Sequence, residues 1–499
     1  MRSTTILITR VAACLAFAAC SCGGSSPSGG GPTRGGGGSL SPDGSAGGNA
    51  GGAMMPPQGG SSGHGAGGGT STPDGGGPST RDGGSSAAIF PDPTFTGESA
   101  AIAVGADGVT RLVYMAADPN GSSLPIRYGE CASSCNDGGS WKFVVLGEYG
   151  SGGLGGSPRL ALDAAGHPRV MWFSQADVGG ASGFLYAECD TGCTTATNWH
   201  ANEIIMGDAF TFRLQNSSFT LDPTGARHVL FQGSLGATYA SCSTDCTNAA
   251  SWTLDSLTSL PPNADLRFDA QGRLRAAYEN FDPDVLNGYD LYYAECGGDC
   301  GQDASWQTTA LFNVSTGTAA YPFSLALAPD GSPRLAFYDG NTNQLDYAWC
   351  SSTCTQAASW SVAIPSFPPD VGRSGVALAV GSDGAPRIAF SGSSSSGAGN
   401  DSASLAVCSS GCTSTAQAWN ISLIESSGDI ATPPPDPCST GTSTWQLGNE
   451  PTLALDASSR AHVAYDLYAL FKCQVATQPD GTPVYVVNTL PGPIRYAQP

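Results

Sequence analysis

The chain has little charge and almost no lysine. Only 12% of its 499 residues are Asp, Glu, Lys or Arg, and the lysines are just two, Lys142 and Lys472. The balance is acidic: 20 Lys+Arg against 41 Asp+Glu give a net charge of −21. A surface of that sign repels phosphate backbones, which argues against nucleic acid as a partner. Helical 3.6-residue periodicity is lacking, so a helical repeat is excluded. There is no H-E-x-x-H, no Walker loop, no dinucleotide fingerprint and no EF-hand loop. The five histidines form no motif. His64 stands in a Gly-rich stretch, His167 in a turn and His200 after Trp199, while His228 and His462 replace a recurrent arginine. All five read as structural or exposed.

What is present falls into three parts. Residues 1–20 begin with early arginines and an apolar stretch too short for a permanent bilayer span, as in an export signal. The end of that stretch, Phe17-Ala18-Ala19-Cys20, resembles the lipobox of bacterial lipoproteins. The resemblance implies lipid attachment at Cys20, with Cys14 and Cys22 as alternatives, and anchoring in the outer membrane or at the cell surface. Residues 21–84 are almost all Gly, Ser and Pro. With so few apolar side chains they cannot offset the entropy of ordering, and a disordered linker is expected. As a flexible coil it would reach about 45 Å, enough to hold a domain away from a membrane.

From residue 85 onward one unit recurs. The phrase "CSSTCTQAASW", Cys350 to Trp360, has six copies: Cys131/Cys135/Trp141, Cys189/Cys193/Trp199, Cys242/Cys246/Trp252, Cys296/Cys300/Trp306, Cys350/Cys354/Trp360 and Cys408/Cys412/Trp419. Ahead of each lies a second phrase, clearest in "LALAPDGSPRLAFY" from Leu325. Leu325 and Leu327 alternate with smaller residues, which is strand periodicity. Pro329-Asp330-Gly331 then reverses the chain into a hairpin. A third strand such as "LDYAWC" and a fourth beginning at the tryptophan complete the unit. Four antiparallel strands repeated around a ring make a β-propeller. The expected fold is all-β: a seven-bladed propeller of four-stranded antiparallel blades spanning 85–499, preceded by the disordered Gly/Ser-rich linker.

Seven first phrases but only six Cys–Trp phrases occur, and the last unit stops at Ile494–Pro499 without a fourth strand. The segment from Ser85 aligns with that from Ser361, so Ala87–Phe90 reads as the missing strand, closing the ring on the seventh blade. In an exported protein each cysteine pair should form a local disulfide. These are Cys131–Cys135, Cys189–Cys193, Cys242–Cys246, Cys296–Cys300, Cys350–Cys354 and Cys408–Cys412. Cys438 and Cys473 are expected to pair, pinning the insertion after Tyr465. Two thiols per site with no nearby histidine do not make a zinc site. The tryptophan should fill the gap between neighbouring blades.

The hairpin pattern L-x-x-D-x-x-G-x-x-R/H, followed by small and aromatic strand residues, resembles the blades of bacterial sialidase-like (BNR or Asp-box) propellers. The resemblance extends over residues 85–499. The Asp-box reads S-x-D-x-G-x-x-W, and here its leading serine and trailing tryptophan are absent. The family's sialidases imply a tyrosine nucleophile with a supporting glutamate, an acid/base aspartate and three arginines. Arg111, Arg169, Arg275, Arg334 and Arg387 all occupy one repeat position. An active site must break the repeat's symmetry, so these read as structural, and no catalytic residue carries over.

Symmetry breaks in the loops between second and third strands. Glu279, Asp282 and Asp284 in the fourth unit, Asp339 and Asn341 in the fifth and Asp466 in the seventh are the candidate ligand-binding residues. Carboxylates and amides beside aromatics suit sugar hydroxyls, or Ca²⁺ through oxygen ligands; no other cofactor is expected. The reading is a monomeric, non-catalytic binding module for an extracellular glycan or protein, touching the membrane only through its lipid. The alternatives are a polysaccharide hydrolase or lyase and a purely structural or adhesive surface protein.

Overall fold

A computed structural model describes residues 88–117, 124–149, 158–174, 182–207, 218–233, 236–282, 288–315, 322–363, 365, 367–368, 371–393, 400–414, 417–430, 438, 442–477 and 483–499. Cys20, the linker and Ala87 lie outside the described residues. Those described form an all-β structure without an α-helix.

The first sheet contains β1 (Thr96–Val104), β2 (Thr110–Ala117), β3 (Leu124–Cys131) and β4 (Lys142–Tyr149). The second contains β5 (Arg159–Leu162), β6 (Pro168–Ser174), β7 (Ser182–Glu188) and β8 (His200–Gly207). The third contains β9 (Ser218–Leu221), β10 (Arg227–Gly233), β11 (Gly236–Cys242) and β12 (Thr253–Leu257). The fourth contains β13 (Asp265–Phe268), β14 (Leu274–Asp282), β15 (Gly288–Cys296) and β16 (Trp306–Ser315). The fifth contains β17 (Phe323–Leu327), β18 (Pro333–Asp339), β19 (Gln344–Cys350) and β20 (Trp360–Ala363). All five are antiparallel with their strands in chain order. First strands lie side by side in a circuit, β1 beside β5, β9, β13, β17 and so on, a propeller-like arrangement.

The remaining strands depart from the expected pair of four-stranded units. β21 (Val376–Val380), β22 (Pro386–Ser393), β23 (Asn400–Ser410), β24 (Ala418–Ser426), β25 (Thr442–Leu455), β26 (Ala461–Thr477), β27 (Pro483–Pro491) and β28 (Arg495–Ala497) share one eight-stranded sheet. The link is a single parallel pairing, Asp401 with Leu447. Gly448 makes it possible: at φ 74° a Cβ there would lie 2.9 Å from the Ser402 carbonyl oxygen. β26 also runs past its partner β28 and pairs with β27, forming an extension the repeat does not contain. The Cys438–Cys473 disulfide joins this extension to the segment before β25. β21 adjoins β25 and β25 adjoins β1, which completes the circuit.

The hairpin turns explain why the aspartate shifts position between repeats. At the first turn position, Asp269 accepts the backbone N–H of Gln271 and Arg273 at 3.0 and 2.9 Å. At the third, Asp107 accepts that of Val109 and faces Arg111 at 2.7 Å. The first position is then Gly105, where a Cβ would sit 2.6 Å from Arg111 Nη1. Either way the carboxylate meets the repeated arginine, as in Arg169–Asp163, Arg275–Asp269 and Arg387–Asp383 at 2.6, 3.1 and 2.8 Å. These arginines hold turns.

Each cysteine pair is bonded. In five units a single 3₁₀ turn then leads to the tryptophan, whose backbone N–H closes the turn. In those units the indole N–H donates to the second cysteine's carbonyl at 2.7–3.0 Å. In the sixth unit the tryptophan comes one residue later, and Gln417 bridges the gap: it donates to the Cys412 carbonyl and accepts from Trp419, both at 2.8 Å. The tryptophan rings pack on a third-strand tyrosine of the preceding unit, Trp199 on Tyr128 at 4.7 Å and Trp360 on Tyr293 at 5.1 Å. Trp141 packs on Tyr496 at 5.1 Å, joining the first unit to the chain's last strand. The sixth unit has Leu405 where that tyrosine would stand, and the unit after it has no tryptophan to receive.

Ile89 and Tyr496 exchange backbone hydrogen bonds at 2.9 and 3.0 Å. Of the fourth strand expected over Ala87–Phe90, the described residues form a single bridge. Arg495 secures it, donating to the Ala88 carbonyl at 2.8 Å, lying 3.9 Å over the Phe90 ring and pairing with buried Glu425.

Candidate functional site

The first strands enclose a cavity of about 660 Å³, lined by residues from β1, β5, β9, β13, β17, β21 and β25. The residue just before the repeat's first-strand apolar anchor decides much of its chemistry. It is small in most units: Ala101, Ser218, Ser324, Ala377 and Thr452. Two units break the pattern with Arg159 and Asp265.

Part of this lining is structural. Ser218, Asp265 and Ser324 each accept a backbone N–H from the next unit's first strand, from Leu266, Leu325 and Leu378 at 2.9, 3.0 and 3.1 Å. The second oxygen of Asp265 pairs with Arg267 at 2.6 Å, which leaves a charged ledge on the wall. Burial pulls the Arg159 guanidinium below its ordinary range, opposed by the charges of Glu450 and Asp265. Glu279 lines the cavity too and is only 4% exposed. Asn263 donates to the Glu279 backbone carbonyl at 3.3 Å, and its own side-chain oxygen is buried without a partner among the described residues.

The cavity's edge on the β1/β25 side is irregular. Ser99 and Glu450 hold left-handed backbone conformations at φ 58° and 44°, and both strands are bulged there. Ser99 Oγ donates to Glu450 Oε2 at 3.3 Å, and Ser99 N–H donates to Asp466 Oδ2 at 2.9 Å. Burial raises the Asp466 carboxyl well above the usual range, with the charges of Glu450 and Glu98 adding to it. Burial likewise raises Glu98. Acids of this kind keep protons where ordinary carboxylates have lost them, and neither belongs to the cavity's lining.

No protein-family model and no curated protein matches the chain. Solved structures similar to it include a protein of unknown function from Dyadobacter fermentans, with TM-score 0.38 and 11% identity, over 83% of this chain and 98% of that one. A mutant of the Aleuria aurantia lectin in complex with Fucα1-6GlcNAc has TM-score 0.36 and 14% identity, over 80% and 97%. The NanB sialidase from Streptococcus pneumoniae has TM-score 0.41 and 11% identity, over 82% and 69%. Likenesses this distant assign no function.

Of the six residues picked from the loops, the four whose side chains are described, Glu279, Asp339, Asn341 and Asp466, do not converge. Glu279 and Asp466 occupy the same register, four residues after Arg275 and His462 on their second strands. Glu279 faces the cavity, whereas Asp466 is fully buried behind Ser99. Asp339 and Asn341 sit in the β18–β19 turn. There Asp339 accepts from Asn341 N and Thr342 Oγ1 at 2.8 and 2.9 Å, and Asn341 donates to the Asn313 carbonyl at 3.0 Å. Asp282 ends β14 in register with Gly288, and Asp284 lies outside the described residues. Reading the loops missed Arg159, Asp265, Arg267 and Glu450. Aligning the repeats on their first-strand anchor exposes Arg159 and Asp265 directly, because they stand where the other units carry small residues.

The one group of His and acidic side chains spaced for a metal among the described residues is Asp163, His167 and Asp190. Arg169 bonds both carboxylates, at 2.6 and 2.8 Å, and supplies their positive charge.

Proposed function

We propose that the protein is a seven-bladed propeller, exported and lipid-anchored through Cys20, that binds an extracellular glycan in its central cavity. The circuit of first strands supports the count, with β21–β24 as the sixth blade and β25, β26, β28 and the Ile89 bridge as the seventh. The observation that carries the binding reading is the loss of symmetry inside the cavity, where charged Arg159, Asp265, Arg267, Glu279 and Glu450 interrupt a wall of small residues. A volume of about 660 Å³ falls within the range of small-molecule sites. Carboxylates, guanidinium groups and an amide oxygen on one wall match the mixed donors and acceptors of sugar hydroxyls.

The test is a glycan array with the full chain in detergent, followed by calorimetry on any hit. Arg159→Ala and Glu450→Gln should each weaken binding at least about tenfold, the loss expected for one charge-assisted hydrogen bond. Binding that neither variant changes would remove the cavity as the site. A second reading, a polysaccharide hydrolase, draws on the two carboxyl groups Glu279 and Glu450 that line the cavity. It requires turnover of a bound glycan that Glu279→Gln abolishes while binding persists.

A further inference from the structure

Where β1 meets β26, two acids share one phenol. Tyr468 Oη lies 3.2 Å from Glu98 Oε2 and 3.2 Å from Asp466 Oδ2. A phenol has one proton to give. With both carboxyls ionised, two like charges would compete for that single hydrogen. If one carboxyl is protonated, each contact has its own hydrogen: the phenol donates to the carboxylate, and the carboxylic acid donates to the phenol oxygen. Asp466 sharpens the choice. It is fully buried, and its Oδ1 has no hydrogen-bond partner among the described residues. Leaving an ionised carboxylate so placed is costly, whereas a neutral acid tolerates it. Among the described residues neither Glu98 nor Asp466 has an ion pair with Lys, Arg or His that would compensate it.

We propose that Glu98 and Asp466 hold one proton between them across Tyr468, and that this proton latches the β1/β26 seam and keeps Glu450 in place at the cavity. The connection runs through Ser99. Its N–H is held by Asp466 and its hydroxyl holds Glu450, a cavity-lining residue. Deprotonation sets a second negative charge beside the first and beside Glu450, where β1 and β25 each carry a bulged, left-handed residue.

The groups facing this cluster are few. β1 supplies Glu98, β26 supplies Asp466 and Tyr468, and β25 supplies Glu450. Arg159 on β5 interacts with Glu450, and exposed Arg373 precedes Ser374, whose carbonyl accepts the Glu450 N–H. Burial raises both shared acids, and Glu450 adds to the rise. An acid whose folded pKa is raised stabilises the fold while it keeps its proton; that stability is lost as pH rises through the folded value. The latch therefore holds at low pH and releases at high pH.

The latch is independent of the ligand; only its consequence for Glu450 rests on the binding reading above. The test measures the amide protection factor of Ser99 in the full chain from about pH 5 to about pH 9, with Leu325 N–H as the reference. Wild type should lose about tenfold or more of its Ser99 protection over that range relative to Leu325, because the opened seam gives up the shared proton that the closed seam keeps. Glu98→Gln removes one charge and should keep Ser99 protected throughout. Flat protection in wild type, or parallel loss in Glu98→Gln, would overturn the proposal. Protection at pH 9 that depends on added Ca²⁺ would also overturn it, because a cation would then neutralise the acids. If Glu98→Gln fails to fold, the wild-type profile still decides. Failure of every glycan to bind would count against the binding reading and leave the latch standing.

Discussion

Asp346 should make the fold less stable as pH rises toward neutrality. It precedes the third-strand Tyr347, at the position held by Arg127 before Tyr128 and Arg495 before Tyr496. Those arginines pair with Asp92 and Glu425. Asp346 instead is an acid, 5% exposed, whose Oδ1 has no partner among the described residues. Burial raises its pKa to about 7, with the charge of Asp339 contributing. Against an unfolded value of about 3.9, that is about 3 units, or about 4 kcal/mol at most. Screening by nearby solvent lowers the expectation to about 2–4 kcal/mol. The folded state holds this proton between about pH 4 and about pH 7 while the unfolded state has lost it, so stability falls across that window and levels off above it. Urea unfolding at about pH 4.5 and about pH 8 reads the loss. Asp346→Asn should be the more stable protein at pH 8, by up to the same amount, and should retain the decline contributed by Glu98 and Asp466. A variant whose stability tracks wild type at both pH values, or falls below it at pH 8, would refute the reasoning.

Three further outcomes follow from the packing. Trp199→Ala removes a buried ring from Tyr128 and orphans the Cys193 carbonyl; it should cost about 3–5 kcal/mol in urea unfolding. Arg495→Met leaves Glu425 buried without its cation and frees Ala88, so it should cost about 3–5 kcal/mol in urea unfolding. Replacing Cys350 and Cys354 together by serine opens one short loop and should cost about 2 kcal/mol, read as a lower thermal midpoint that is then insensitive to reductant at that site.

The repeat carried much of the architecture in plain view. Strand alternation, the Asp/Gly turns and the Cys–Trp phrase each reflect local physics, so β17 to β20 could be placed from Phe323–Trp360 alone. The tryptophan's role was legible for the same reason: a large apolar side chain at a fixed offset needs a fixed neighbour. The insertion after Tyr465 was less legible. β26 continues to Thr477 and pairs with β27, and nothing in the repeat pattern records which partner a prolonged strand takes. The parallel link between β23 and β25 rests on Gly448, a single small residue whose importance depends on what approaches it.

The functional side chains divide in the same way. Glu279 was recognisable as a departure from the repeat, and it does line the cavity. Asp339 and Asn341 also depart from the repeat, but their hydrogen bonds shape a turn and its neighbour, because short polar side chains close loops as readily as they bind ligands. By itself, the sequence determined the strand pattern, the six short cystine loops and the structural standing of the repeated arginines, all of which depend on residues close together in the chain. Only the tertiary structure decided that Glu98, Glu450, Asp466 and Tyr468 meet. The first of these is more than 350 positions from the others, and closing the circuit brings them within reach of one another. Whether an acid keeps its proton depends on burial and on charges from distant strands, and both exist only once the chain has folded.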